Sequence, residues 1–138
     1  MKKLLFSTLI FCLLSFSTNA QEEKEVDCSD LKTGVFIIPA DKFVPLSTKI
    51  VRENNFQREY MSNGDEASSR LKWLSDCSYL MLPEPEKEGE DPMEALVRKH
   101  GGVQVDLTAR KGDTIYFTAN LYKALKKTEV SSFMIKIE

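Results

Sequence analysis

The chain has 138 residues, a formal net charge of −2, 42% hydrophobic side chains and 29% charged side chains. This composition is typical of one small globular domain, and it excludes a disordered chain and a strongly basic nucleic-acid-binding surface. The sequence has a single histidine, no paired-cysteine metal motif and no glycine-rich phosphate loop. Few of the groups that usually carry catalysis are therefore present.

The first 20 residues have the pattern of a cleaved export signal. A basic start precedes an apolar stretch of 13 residues, 4–16, and small residues lead to a cleavage site after Ala20. That stretch is shorter than the roughly 20 residues that a membrane-spanning helix needs. We therefore predict a signal peptide over residues 1–20 and a mature chain that begins at Gln21. The mature chain should be periplasmic or secreted and have no membrane span.

Cleavage of this signal leaves two cysteines, Cys28 and Cys77. Exported proteins fold under oxidising conditions, and two cysteines allow a single disulfide. Such a bond would close a loop of about 50 residues and remove roughly 4 kcal/mol of unfolded-chain entropy. We predict this disulfide, and the alternative is a pair of free buried thiols.

The rest of the chain, residues 31–138, follows a two-residue hydrophobic period that predicts short β-strands in a single domain. The polar residues 21–30 before it are predicted to form a flexible leader. The last run places Phe133, Ile135 and Ile137 on one face. The alternating runs cover residues 35–38, 48–52, 56–61, 69–74, 77–82, 103–107, 115–121 and 130–137.

Three tight turns are predicted between these runs. Residues 54–55 are two asparagines, which accept the left-handed backbone conformation of a short hairpin turn. Residues 75–76 and 111–112 have small or polar side chains, and each pair lies between two alternating runs. Each of these turns would join two antiparallel neighbours.

One segment has helical spacing. Asp91 is a predicted N-cap, with proline at the first helical position and glutamate three residues after the cap. Gly101 and Gly102 follow the last position of the pattern. The sequence therefore predicts a short amphipathic helix over residues 92–100. The acidic, proline-rich residues 83–90 before it are predicted to be a solvated connector.

Seven or eight short strands joined mostly by tight turns predict an antiparallel meander. The chain lacks the regular alternation of strands and helices that a parallel sheet requires. Large side chains occupy both faces of some strands, as in Trp73 with Leu74 and Tyr116 with Phe117. An open sheet would leave one of those faces uncovered. We therefore expect a mainly β protein whose sheet curls into a barrel or half-barrel, with one short helix.

Several stretches of the chain carry a resemblance to a known group of proteins. They are residues 28–36, 50–52 with 57–60, 73–79 and the C-terminal 134–138. These stretches resemble small exported bacterial proteins of unassigned function that often carry the automatic label DNA topoisomerase IV. The resemblance implies that Cys28 and Cys77 pair. The activity in that label is excluded, because a topoisomerase needs a nucleotide-binding or DNA-cleaving domain several times this size.

A second resemblance is to the lipocalin-type barrel. Residues 31–36 open the first strand with a glycine and an aromatic residue, and a strand meander follows. This order resembles the start of lipocalin-type barrels, although the tryptophan expected after the glycine is missing. The resemblance implies a barrel around a ligand cavity.

Candidate catalytic and metal-binding residues are few. His100 lies at the predicted end of the helix, where the helix dipole and free carbonyls favour a cation, so we interpret it as a capping residue. The acidic residues of segment 84–91 lack the spacing of a calcium loop and are interpreted as solvated surface. No metal site, no cofactor and no enzymatic activity is predicted.

Amphipathic aromatic residues and arginine supply contact area in pockets and interfaces. The candidates for a binding surface are therefore Arg58, Trp73, Tyr79 and Tyr116. Packing within the sheet is the alternative interpretation at each of these positions, since aromatics are favoured in strands.

Together these patterns predict a non-catalytic exported binding module that takes a small apolar ligand or another envelope protein, and no nucleic acid. The alternative is a structural or inhibitory interaction protein with a filled core, and a hydrolase is the third hypothesis. An apolar cavity of a few hundred Å³ would favour the ligand carrier. A packed interior with an exposed apolar patch would favour the interaction protein.

Overall fold

The computed structural model describes residues 25–42 and 44–138, and the predicted signal peptide lies outside this part. Eight strands of the described chain pair antiparallel in sequence order, and the last pairs with the first to close a barrel. The predicted antiparallel meander is confirmed, and the sheet closes fully. The strands are β1 (Thr33–Ile38), β2 (Thr48–Glu53), β3 (Phe56–Met61), β4 (Glu66–Ser75), β5 (Ser78–Met81), β6 (Val103–Lys111), β7 (Thr114–Leu121) and β8 (Val130–Lys136).

The helix α1 (Pro92–His100) lies between β5 and β6 and has the predicted bounds. The carboxylate of Asp91 accepts hydrogen bonds from the backbone N–H groups of Met93 and Glu94. In return, the Glu94 side chain accepts from the backbone N–H of Asp91. Gly101 has a φ of 83°, the left-handed conformation that ends many helices. Local capping chemistry thus sets both ends of α1.

Several strand and turn boundaries differ from the prediction, and three of them change the hairpin pairing. Strand β4 begins at Glu66 and not at residue 69, because it pairs with β3 along a polar stretch that shows no hydrophobic period. The β4–β5 turn is 76–77 and not 75–76, since Ser75 pairs with Ser78. The β6–β7 turn is 112–113 and not 111–112. Its first residue, Gly112, has a φ of 60°, which glycine adopts easily. The turn at 54–55 is confirmed.

The two ends of the barrel differ. The turns 54–55, 76–77 and 112–113 lie at what we call the closed end, and the longer connections, including α1, lie at the open end. Leu31, just before β1, is fully buried in the core. The core consists of Cys28, Leu31, Phe36, Ile50, Leu71, Tyr79, Val105, Leu107, Ile115 and Met134.

Residues 25–30, which were assigned to a flexible leader, are tied to the closed end. Cys28 is buried and forms a disulfide with Cys77, with their Cα atoms 5.4 Å apart. The predicted bond is thereby confirmed. The carboxylate of Asp30 accepts from Arg110 Nη1 at 2.5 Å and from Lys136 Nζ at 2.8 Å. One covalent bond and one small ionic cluster therefore hold this segment across the barrel.

Asp30→Asn should lower the free energy of unfolding at pH 7 by about 1 kcal/mol. Hydrogen bonds from Arg110 and, to a smaller extent, from Lys136 hold the pKa of Asp30 well below its ordinary value. A depressed carboxyl pKa stabilises the fold above the unfolded pKa of about 4, and this stabilisation is lost as the pH falls further. The side chain is 46% exposed, so screening keeps the effect small.

Urea unfolding of both proteins between pH 7 and pH 2.5 measures this effect, with the exposed Glu53→Gln as control. The difference between wild type and Asp30→Asn should shrink steadily below about pH 4. A difference that stays constant with pH would contradict an ionic origin.

Candidate functional site

A buried arginine organises the interior near the closed end. Arg52 of β2 is only 1% exposed. Its Nη1 donates to the backbone oxygen of Leu31 at 2.9 Å, which joins the leader to the interior. Its Nε and Nη2 donate to Gln57 Oε1 at 3.1 and 2.8 Å, and Nη2 also donates to the Tyr79 hydroxyl at 2.8 Å. The guanidinium is therefore held by neutral acceptors from three parts of the chain.

Aromatic rings surround the same guanidinium. Its central carbon lies 4.9 Å from the ring centroid of Phe36, 4.8 Å from that of Tyr79 and 5.8 Å from that of Trp73. Trp73 donates its indole N–H to the backbone oxygen of Asn54 at 2.9 Å. Burial raises the pKa of Tyr79, so its hydroxyl stays protonated at neutral pH. The closed end is thus filled by packed aromatic rings around one cation.

The hydrogen bonds continue towards the open end along β3. Arg52 is the cross-strand partner of Gln57, and Ile50 is the partner of Glu59. Alternation along both strands places these four side chains on the inner face. Gln57 Nε2 donates to Glu59 Oε1 at 2.7 Å. The Gln57 amide therefore bridges the buried cation to a carboxylate further along the barrel.

Glu59 lies on the wall of an internal cavity of about 100 Å³. Nine of its eleven lining residues are apolar or aromatic, and the other two are Gln57 and Glu59. Glu59 is the only formally charged side chain among these described lining residues. The lining consists of Ile38, Ile50, Gln57, Glu59, Tyr79, Met81, Val103, Val105, Phe117, Ala119 and Met134.

A groove of about 260 Å³ adjoins this cavity. It lies between residues 67–69 of β4, the connector after β5, and the side chains of Met93 and Val97 on α1. Met81 and Val103 line both the groove and the cavity. These two side chains therefore lie where the barrel interior meets the groove beside α1.

The connector before α1 is held against the helix. Residues 84–89 are exposed, as predicted for a solvated connector. The same segment is nevertheless fastened at two points: Lys87 binds Glu94 at 2.9 Å, and the largely buried carboxylate of Glu90 binds Arg98. The connector and α1 thus form one wall of the groove.

The structure separates the four candidate binding residues into three places. Trp73 and Tyr79 lie together inside the closed end, with ring centroids 4.9 Å apart. Arg58 is exposed on β3, and its guanidinium carbon lies 5.6 Å from the ring centroid of Phe56. Tyr116 lies on the outer face of β7, 6.1 Å from Phe133 between ring centroids. These residues do not form one site.

Two further sequence interpretations concern polar residues. His100 directs Nδ1 towards the backbone oxygen of Tyr122 at 3.2 Å, so its carbonyl contact is with the chain after β7 and not with α1. Within residues 25–42 and 44–138, no three potential metal-ligating side chains form a cluster.

The same residues include no helix that is long and apolar enough to span a membrane.

Arg52, Gln57 and Glu59 were not among the predicted site residues. The sequence did hold one signal for them, because Arg52 shares the face of Ile50 in the alternating pattern of β2. A charged side chain on the same face as a core isoleucine indicates a buried polar group that needs partners.

The fold and its interior define a class: a closed eight-stranded antiparallel barrel that is packed at one end and has a cavity of about 100 Å³ towards the other. Comparisons with protein-family models, curated proteins and solved structures found no match for the chain.

Proposed function

We propose that the protein is an exported, non-catalytic binding module that holds a small apolar ligand at the open end of the barrel. The observation that carries this proposal is the apolar cavity on the open-end side of the packed aromatic cluster. Apolar walls with a few polar groups are typical of small-molecule sites. A barrel with no binding role would be expected to fill this space with side chains.

The size of the cavity limits the ligand. An apolar cavity of about 150 Å³ is known to take a benzene molecule, so about 100 Å³ suits a short alkyl chain. Cavity and groove together reach the lower end of the range of about 300 to 1,000 Å³ that is typical of ligand pockets. Met81 and Val103 line both volumes, and methionine changes rotamer easily. A longer chain would therefore enter the groove past Met81.

Export is the second part of the proposal. The signal pattern of residues 1–20 supports it, and so does the disulfide between Cys28 and Cys77, since such bonds persist mainly outside the cytoplasm. The resemblances to small exported bacterial proteins and to lipocalin-type barrels agree with an exported binding barrel. The compartment we propose is the periplasm or the extracellular medium.

A second candidate function is binding of an envelope protein on the outer surface. Tyr116 and Phe133 form a cross-strand aromatic pair there, and each is 37% exposed. Aromatic side chains in such positions are typical of interface centres. The ligand proposal is favoured because the cavity combines apolar walls with two polar side chains inside the barrel, whereas a single exposed pair is common on protein surfaces.

Mass spectrometry of protein recovered from its producing cells tests both parts. The chain should begin at Gln21, and solvent extraction of the purified protein should release one small apolar molecule in stoichiometric amount. Ala119→Phe, which fills the cavity, should abolish this molecule. Thr118→Phe, on the opposite face of the same strand, is the matched control and should retain it.

Two results would contradict the proposal. Recovery of the chain with an intact Met1 would exclude signal cleavage. Equal small-molecule content in wild type and Ala119→Phe, with both proteins folded by circular dichroism, would exclude binding in the cavity. An envelope protein that co-purifies with both variants would favour the second candidate function.

A further inference from the structure

We infer that the open end of the barrel prefers an apolar molecule that carries a positively charged amino group, and that the Glu59 carboxylate binds this group. The inference rests on the proposed function and adds the chemical class of the ligand. Two independent observations lead to it: the hydrogen-bonding state of Glu59 and the charge of the groove beside α1.

The Glu59 carboxylate has one oxygen in use and one available. Its Oε1 accepts the hydrogen bond from Gln57, whereas Oε2 accepts none from the residues that the structure describes. The remaining lining side chains are apolar or, like Tyr79, already hydrogen-bonded elsewhere. Water that enters the cavity can solvate Oε2. The site therefore presents one anionic acceptor on an apolar wall.

Filling the cavity would remove that water. A neutral hydrocarbon would leave the carboxylate desolvated and without a partner, which is strongly unfavourable. An anionic ligand would be repelled by the nearby Glu59 carboxylate. An ammonium group would replace the lost water with a charge-assisted hydrogen bond, while its alkyl chain covers the apolar wall. Among ligands of equal size, the cationic one should thus bind tightest.

The groove favours the same sign of charge. Four acidic side chains line it against one basic side chain. Arg98 neutralises part of this excess by binding Glu90, and the set remains negative. A negatively charged groove attracts cations and raises their association rate. The acidic lining residues are Glu84, Glu90, Asp91 and Glu94, and the basic one is Lys87.

The competing role for Glu59 is that of a counter-charge for Arg52. All the hydrogen bonds of the Arg52 guanidinium go to neutral oxygens, and Gln57 lies between the two charges. A purely structural carboxylate would affect folding, but it would not select among ligands. Ligand selection is therefore the property that separates the two roles.

The test compares three probes with the same six-carbon chain: hexylammonium, 1-hexanol and hexanoate. Isothermal titration calorimetry of the wild-type protein at pH 7 and low salt should rank their affinities in that order. Hexylammonium should bind at least about tenfold tighter than 1-hexanol, as a charge-assisted hydrogen bond predicts. In a protein with 15N-labelled glutamine, hexylammonium should shift the side-chain amide resonance of Gln57 more than 1-hexanol does.

Glu59→Gln should bring the affinity for hexylammonium down to that for 1-hexanol and change the affinity for 1-hexanol by less than about twofold. Retained binding of 1-hexanol also shows that the variant is folded. Glu66→Gln is the matched control, because it removes the same charge from an exposed position at the open end. This control should keep the preference for the cation.

The outcomes distinguish the two proposals. If none of the probes binds the wild-type protein, the binding module itself is refuted. If 1-hexanol binds but hexylammonium binds no better, the cationic ligand class is refuted and the binding module stands. The cationic ligand class is also refuted, and the binding module stands, if Glu59→Gln keeps the preference for hexylammonium over 1-hexanol. The ranking of probe affinities and the shift of the Gln57 resonance are measured on the wild-type protein. They therefore test the cationic ligand class even if Glu59→Gln does not fold.

Discussion

Replacing Arg52 with alanine should lower the free energy of unfolding by about 3 to 5 kcal/mol, which is a large share of the stability of a small domain. The substitution removes the four hydrogen bonds that the guanidinium donates. It leaves the backbone oxygen of Leu31 and the side chain of Gln57 without these donors in the interior, and each buried group left unsatisfied costs about 1 to 3 kcal/mol. It also opens a cavity between the rings of Phe36 and Tyr79.

Guanidinium chloride unfolding followed by circular dichroism measures this loss. Arg58→Ala is the matched control, because Arg58 is exposed on the neighbouring strand and should change stability by less than about 0.5 kcal/mol. Arg52→Lys should recover only part of the loss, since lysine keeps the charge and lacks the planar fork that reaches several acceptors. If Arg52→Ala were as mild as Arg58→Ala, the buried network would not be a main source of stability.

Removing the disulfide should have an effect of similar size. Cys77→Ala is expected to lower the free energy of unfolding by about 4 kcal/mol, because the bond closes a loop of 49 residues in the unfolded chain. The melting temperature should fall by on the order of 15 °C. The loss should also loosen the closed end, since Cys28 packs in the core beside Leu31.

Thermal unfolding with and without reductant isolates the role of the bond. Reductant should bring the melting temperature of the wild-type protein close to that of Cys77→Ala and leave the variant almost unchanged. The double variant Cys28→Ala, Cys77→Ala should resemble the single one. An equal melting temperature for wild type and Cys77→Ala under oxidising conditions would show that the bond contributes little.

The direction of side chains along β3 shows where sequence patterns stop being sufficient. Phe56 and Tyr60 alternate with Gln57 and Glu59, and hydrophobicity alone favours the aromatic residues on the inside. The structure places Gln57 and Glu59 inside, because the hairpin register sets them opposite Arg52 and Ile50 of β2. A one-residue change of register would reverse every side chain of the strand.

The last strand gives a second example. Phe133 and Ile135 share one face, as predicted, and that face is the outer one. Met134 between them packs in the core, opposite Ile115 of β7. The pattern correctly identified the two faces of β8. It contained no information on which face the closed barrel would enclose.

Apart from the barrel itself and the disulfide, the features that sequence reasoning obtained are local ones. The ends of α1, the turn at 54–55, the number of strands and the disulfide follow from residues a few positions apart or from the count of cysteines. Capping, turn chemistry and hydrophobic period act over such short distances, so they can be read in order along the chain.

The site depends on contacts between residues far apart in the chain. Closure pairs Ile37 with Ile135, and the interior brings Arg52 to Tyr79. The choice of inner face, the filling of one end and the cavity beside Glu59 all follow from these distant pairings. A strand exposes two faces that are chemically similar here, and only its neighbours in space determine which of them becomes the interior.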